Sequence, residues 1–499
     1  MPGFILSIDQ GTTGSTVLLL STEGEIVARA SREFPQHFPH PGWVEHEPAE
    51  ILESVSAAIR DALERGNARA EDCLGIGITN QRETVVVWDR ETGEPIHRAI
   101  VWQDRRTAVR CRELEERGAL REIRRRTGLV LDPYFSATKI EWILDHVPGA
   151  RARAEEGRLA AGTIDSFLVH RLTGGAVHVT DATNASRTLL YDLQRGDFDD
   201  DLARLFRVPR GMLPEVRSSS EVYGHTKGFP GLPDGIPIAG MAGDQQAALF
   251  GQTCFEVGDA KCTYGTGAFL LTHVGTRPVH SAHGILATVA WRLGGQDHFA
   301  LEGSTFVAGA AVQWLRDGLG ILEHSAEVET YAKQVPDTGG VYFVPALTGL
   351  GAPYWDPEAR GLICGITRGT TRAHLCRATL EGIAFQIAEL GDAMAADAGK
   401  KIKRLRVDGG ASANDTLMQM QADFLGVEVD RPSSIETTAL GAAFLAGLGV
   451  GVFSDLDDVR RAYRVDKTFE VLLRTDEREQ RLASWREAVA RARNQAVTR

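Results

Sequence analysis

Apolar runs of strand length alternate along this chain with longer stretches whose apolar residues recur at helical spacing. Residues 4–8 (FILSI), 15–20 (STVLLL) and 25–30 (EIVARA) predict three strands, separated by Gly-Thr-Thr-Gly and Glu-Gly turns. Helical spacing follows over 48–64, 104–125 and 137–146. Strand-like runs intervene at 74–79, 84–88 and 96–102. This mixture predicts an α/β lobe with helices on the sheet faces. The same grammar restarts past the middle. Residues 259–264 (DAKCTY) precede a Gly-Thr-Gly turn and a strand from Phe269 to Val274, and the alternation then continues to about 450. Two strand–turn–strand units, one early in each half, are what an ancient duplication leaves. The lobe boundary is expected near 248–255, dividing the chain into 1–250 and 251–499. No Pro/Ser-rich linker marks it, so the lobes are expected to be joined by packed helices. Beyond about 474 an Arg/Glu/Ala-rich stretch predicts a solvated surface helix. The arginines of 105–126, interleaved with Glu113, Glu115, Glu116 and Glu122, predict a salt-bridged helix face.

The 499 residues exceed one ordinary domain; two large lobes or roughly three smaller units fit the length. Apolar residues make up 43% and charged residues 24%, which describes a folded protein and excludes a disordered chain. The net charge of −12 argues against a nucleic-acid partner, while leaving room for a local anion site built from backbone amides. The six cysteines are scattered without a CxxC pair, as expected of free thiols in a reducing compartment. The opening residues lack the basic and long apolar regions of a signal peptide, and no apolar run approaches the ~20 residues of a membrane span. A cytoplasmic protein is expected.

Four segments carry candidate chemistry. Asp9-Gln10-Gly11-Thr12-Thr13-Gly14 follows the first strand; its turn amides and hydroxyls suit a polyphosphate, and Asp9 suits a hydrated Mg²⁺. Alone it reads equally as a tight hairpin. Tyr264-Gly265-Thr266-Gly267-Ala268-Phe269 is a second such turn, so a triphosphate between two jaws becomes conceivable. Asp408-Gly409-Gly410-Ala411-Ser412-Ala413-Asn414 lies at a strand-to-helix turn, where paired glycines admit a flat ring and Asn414 can cap the helix. Gly243-Asp244-Gln245-Gln246 ends a strand before a small-residue helix. From these residues alone, Asp244 reads first as a helix cap and second as a base. A similar helix recurs at Thr438–Phe444, and small residues let two helices approach closely. No GxxxxGK[ST], GxGxxG or GxSxG motif is present, and His37, His40 and His46 lack metal-ligand spacing.

In this order the segments resemble the sugar-kinase/actin/Hsp70-type ATPase superfamily and, within it, the FGGY carbohydrate kinases. The resemblance runs from about residue 4 to about 470. Its most specific pieces are DQGTTG (9–14), GWVEHEP (42–48), NQRET (80–84), WQDRR (102–106), AGDQQAALFG (242–251) and PALTGLGAPYWDPEARG (345–361); the last three are similar to members that phosphorylate glycerol. The resemblance implies an α/β fold of two actin-like (ribonuclease H-like) lobes with a deep interlobe cleft. It also implies ATP-dependent phosphorylation of glycerol and a homodimer or homotetramer. By the same resemblance, Arg82, Glu83, Trp102, Tyr134, Asp244, Gln245 and Phe269 would surround glycerol, with Asp244 as the base. Thr12, Thr13, Gly14, Thr16, Thr266, Gly309, Gln313, Gly410 and Asn414 would line ATP, and Asp9 would organise Mg²⁺. The chemistry is consistent: Arg82 donates and Glu83 accepts, so the pair can fix two hydroxyls, while Trp102 and Phe269 can cover a carbon face.

The chain departs from the family pattern at two places. A Ser and, two residues on, an Arg often follow the Thr-Thr pair, where Gly14 and Thr16 stand here. The segment 224–235 (GHTKGFPGLPDG) lacks the arginine that some bacterial members use for sugar-bisphosphate inhibition and a histidine where others are phosphorylated, so neither control is expected. Two alternatives stay open. One is an FGGY kinase of a pentose, gluconate or a longer polyol. The other is a non-catalytic nucleotide-binding protein on the same fold.

Overall fold

The computed structural model describes residues 3–493. Residues 1–2 and 494–499, which the expected lobe limits and the opening segment include, lie outside the described residues. The first sheet begins with β1 (Phe4–Gln10), β2 (Gly14–Ser21) and β3 (Ile26–Glu33), an antiparallel meander. After helix α1 (Pro48–Arg65), β4 (Cys73–Asn80) joins β1 in parallel; β5 (Ser220–His225) and β6 (Pro237–Gly243) complete the order β5-β6-β4-β1-β2-β3. Helix α2 (Asp244–Gly251) leaves the end of β6.

The second sheet repeats this plan. Its strands are β7 (Asp259–Tyr264), β8 (Ala268–Gly275), β9 (Leu286–Leu293), β10 (Gln296–Thr305), β11 (Arg404–Asp408), β12 (Val429–Pro432) and β13 (Val465–Phe469), in the order β9-β10-β8-β7-β11-β12-β13. Apart from the extra edge strand β9, the sequence of antiparallel and parallel neighbours is the same in both sheets. The duplicated grammar of the sequence is therefore a duplicated topology. The long helix α3 (Arg372–Ala398) covers the second sheet, α4 (Asp415–Leu425) follows β11, and α5 (Thr437–Gly449) follows β12.

β1 is buried at nearly every position because both faces are covered. Phe4, Leu6 and Ile8 pack with Ile51, Val55 and Ile59 of α1. Ile5 packs on the other face with Ala439 and Ala443 of α5, and Ser7 Oγ donates to the Ala439 carbonyl at 2.7 Å. Thus a helix from the second half of the chain closes the first sheet. It lies so close that a Cβ on Gly77 would sit 2.1 Å from the Ala442 carbonyl oxygen, and one on Gly240 2.4 Å from Ala446 N. α5 also packs on α2, where a Cβ on Gly441 would meet the Ala247 carbonyl oxygen at 1.8 Å. The halves are joined by packed helices, as the missing linker predicts.

Two elements differ from expectation. The helix expected over 104–125 is two, Ala108–Glu116 and Leu120–Thr127, because Gly118 between them adopts a left-handed φ of 80°. The strand expected over 96–102 shrinks to Ala99–Ile100, since the chain turns directly after it, Asp104 N donating to Val101 O at 3.0 Å. All six cysteines are free, and among the described residues no helix is long and apolar enough to cross a membrane.

Candidate active site

The carboxyl ends of β1, β4 and β6 and the two glycine turns deliver the site, the usual place for a ligand in a sheet of this kind. Loop Gly11–Gly14 is tied by its carbonyls: Gln36 Nε2 donates to Thr12 O at 2.8 Å, Gln81 Nε2 to Gly11 O at 3.1 Å and Gly11 N to Gly14 O at 2.9 Å. Thr13 remains exposed. Thr12 Oγ1 accepts from Trp102 Nε1 at 2.9 Å, which links this loop to the aromatic wall formed by Trp102 and Tyr134, an edge-to-face pair 5.6 Å apart. Thr16 stands opposite Asp9 across the strands, and its hydroxyl meets Ser31 Oγ at 2.9 Å.

The second turn is arranged alike. Gly265 N donates to Gly267 O at 2.9 Å, and the Thr266 carbonyl accepts from Ala308 N at 2.9 Å, which brings Gly309 against the turn and leaves the Thr266 side chain exposed. Gly409 (φ 82°) passes over Tyr264, whose carbonyl oxygen would lie 2.5 Å from a Cβ there; only glycine permits this approach. Gly410 beside it is open, and Asn414 caps α4 by accepting from Leu417 N at 2.9 Å. Thr266, Gly309, Gly410 and Asn414 are thereby gathered at one end of the second sheet. Gln313 is exposed on the short helix Gly309–Gln313, without a hydrogen bond to draw it in.

Between the turns lies a buried charge network. Glu302 on β10 grips Arg82 with both carboxylate oxygens, at 2.6 and 3.0 Å. Arg82 also donates to Gln246 Oε1 at 3.2 Å and pairs through Nε with Asp244 at 3.0 Å. Arg187 bridges Glu83 at 2.7 Å and Glu302 at 3.1 Å. Burial works against the Arg82 charge, but Glu302 and Glu83 hold it well above its ordinary value. Burial opposes ionisation of Glu302 too, yet Arg187 and Arg82 bring its carboxyl down to about 2. Glu83 is pushed up, chiefly by burial. It also holds a left-handed φ of 63°, a strained backbone for a non-glycine residue of the kind that gathers at functional sites.

Asp244 is the first residue of α2, after Gly243, and its carboxylate accepts from Gln245 N in the first turn of that helix at 2.7 Å. The same carboxylate pairs with Arg82, and it stays 33% exposed. Gln245 accepts from the buried Lys261 of β7, which also donates to Thr263 Oγ1 at 2.8 Å. Burial lowers the Lys261 pKa, opposed by Asp408 and then Asp244. Phe269 lies opposite Ser304, one step along the same face from the Leu271–Glu302 pair, so it stands beside the network. Asp9 is half-buried, and its carboxyl is pushed up to about 7, first by burial and then by the charges of Asp244 and Glu436. Arg29 acts the other way and draws the Asp9 carboxyl down, while Asp244 has its own cation in Arg82. Among the described residues no group of three or more His, Cys, Asp or Glu is placed to hold a metal.

Sequence reasoning missed Arg187, Gln246, Lys261 and Glu302. Part of their signal is present: Lys261 and Glu302 lie in strand-forming stretches, where burial makes a charge costly unless it is paired.

Residues 4–251 match the N-terminal domain of the FGGY family of carbohydrate kinases, and residues 260–450 match its C-terminal domain. The chain belongs to the FGGY family of carbohydrate kinases. Among FGGY relatives, it is 56% identical over 491 residues to the glycerol kinase of Myxococcus xanthus, covering 98% of this chain and 99% of the relative. It is 57% identical over 488 residues to that of Alkalilimnicola ehrlichii, covering 98% of each. A solved FGGY structure, the glycerol kinase of Plasmodium falciparum with ADP, superposes with a TM-score of 0.94 at 36% identity, over 98% of both chains. The fold is therefore the two-lobed α/β architecture of FGGY kinases, built on two actin-like lobes.

Proposed function

We propose that this protein transfers the γ-phosphoryl group of ATP to a terminal hydroxyl of glycerol, giving sn-glycerol 3-phosphate and ADP. The observation that carries the reading is the placement of Asp244: a part-exposed carboxylate oriented by Arg82, next to Gln245, between the two glycine turns. Near-full-length identity to glycerol kinases supports glycerol as the acceptor. We divide the chain near residue 250, with the acceptor residues mostly in the first lobe and the nucleoside residues in the second.

In this reading Arg82 and Glu83 hold two hydroxyls of glycerol, and Trp102, Tyr134 and Phe269 cover its carbons. Asp244 accepts the proton of the attacking hydroxyl. Thr12, Thr13 and Gly14 face the γ-phosphate, Thr266 the β-phosphate, and Gly309, Gln313, Gly410 and Asn414 the nucleoside. Asp9 would hold hydrated Mg²⁺, because a hard carboxylate oxygen leaves the remaining positions to water and phosphate. When bound, the ion supplies charge neutralisation at the phosphates. Most of the rate then comes from positioning and from exclusion of water. The free thiols suit a reducing, cytoplasmic setting.

The test is glycerol-dependent ADP release by the purified protein and by its Asp244→Asn variant. The variant should lose about 10²–10⁴-fold in kcat with glycerol KM changed only a few-fold. Preference for a five- or six-carbon sugar, or near-normal turnover of the variant, refutes the reading.

A further inference from the structure

The sheet face beside loop Gly11–Gly14 is ordered in rows. Asp9, Thr16 and Ser31 form the row nearest the loop; Ser7, Leu18 and Arg29 form the next. Residues opposed across strands share a face, as do residues two apart along a strand. Arg29 therefore stands on the face of Asp9, one row back and two strands across, diagonal to Thr16 by about 8 Å, and its long side chain leans toward the front row. The front row holds one carboxylate and two hydroxyls, and Thr16 is both short and spent on Ser31. A polyphosphate there would meet Asp9 and Asp244 with no cation from that row.

The other nearby cations are committed. Arg82 is gripped by Glu302 and Asp244, and Lys261 is buried against Gln245 and Thr263. Arg29 is 46% exposed and makes a single ion pair, through Nε to Glu436 at 2.7 Å. Among the described residues its two Nη groups have no side-chain partner, so the donors suited to a phosphate are free. Glu436 lies at the start of α5, which runs across this sheet by way of Ser7, so the pair sits at the edge of the same face. The guanidinium already acts on Asp9, drawing its carboxyl down against burial and the neighbouring acids.

Resting on the reading of Gly11–Gly14 as a phosphate loop, we propose that Arg29 binds the terminal phosphates of the nucleotide, reaching from the third strand into the space that Thr16 leaves. The competing account is a plain pin between β3 and α5, in which Arg29 and Glu436 matter equally.

Calorimetric titration of the full-length protein with ADP and with AMP, in the presence of Mg²⁺, separates the two. Arg29→Ala should weaken ADP binding about tenfold or more and leave AMP binding within about twofold, since AMP lacks the terminal phosphates. Glu436→Gln, which frees Arg29, should leave ADP binding unchanged or tighter. Adding Thr16→Arg to Arg29→Ala should restore ADP affinity by returning a cation to the front row. Equal weakening by Arg29→Ala and Glu436→Gln, or loss of AMP binding in parallel with ADP, would overturn the proposal. So would no ADP effect in Arg29→Ala. Failure of the wild-type protein to bind ADP would instead overturn the phosphate-loop reading and this proposal with it.

Discussion

Replacing Asp9 by Asn should make this protein more stable and catalytically useless at the same time. The Asp9 carboxyl is moved from 3.8 to about 7, first by burial and then by Asp244 and Glu436. Each tenfold change in proton affinity is worth about 1.4 kcal/mol, so the whole displacement has an upper bound of about 4 kcal/mol. Partial exposure and local relaxation reduce that, and about 2–3 kcal/mol is expected. The sign follows from proton binding. Between pH 3.8 and about 7 the folded protein holds a proton on Asp9 that the unfolded chain has released, so this group's contribution to stability falls as pH rises through that window. Asn carries no such charge. In urea unfolding at pH 8, Asp9→Asn should exceed wild type by that margin, and the two should converge toward pH 4. Mg²⁺ with ADP should stabilise the wild-type protein more than the variant, because the cation gives Asp9 its missing partner. A variant no more stable than wild type at pH 8, or a difference that ignores pH, would refute the account of Asp9 as an unrelieved charge.

Glu302→Gln leaves the buried Arg82 and Arg187 without their common carboxylate; unfolding free energy should fall by about 3–5 kcal/mol and glycerol KM should rise, both readable from denaturant melts and steady-state kinetics. Trp102→Phe keeps the aromatic wall but deletes the donor to Thr12; KM for ATP and for glycerol should rise together by several-fold, whereas a change in only one would uncouple the indole from the loop.

The sheets were legible because their strands are short, apolar and punctuated by glycine; the strand expected over 259–264 has those same limits, Asp259–Tyr264, in the fold. The boundary errors have local causes. Gly118 breaks a helix whose charge pattern continues through it, and the Val101–Asp104 turn cuts a strand short. The candidate site was legible where residues come in runs, such as Asp9–Gly14 and Gly243–Gln245. Asp244 illustrates the limit. Its position after a strand suggests a cap, and the carboxylate does meet the Gln245 amide, but its pairing with Arg82, distant in sequence, leaves no trace there. Glu302 and Arg187 were not legible as partners, since long-range pairing of buried charges leaves no periodic trace in one sequence.

The contact of α5 with Gly77 and Gly240 bears on how the chain is made. The first sheet is complete by Gly243, yet the helix that seals its second face is synthesised far later, beginning at Thr437. At about 5–20 residues per second, the ribosome needs roughly 10–40 s to cover that distance. Throughout that interval Ile5, Leu18 and Leu20 lack the helix they pack against in the finished fold.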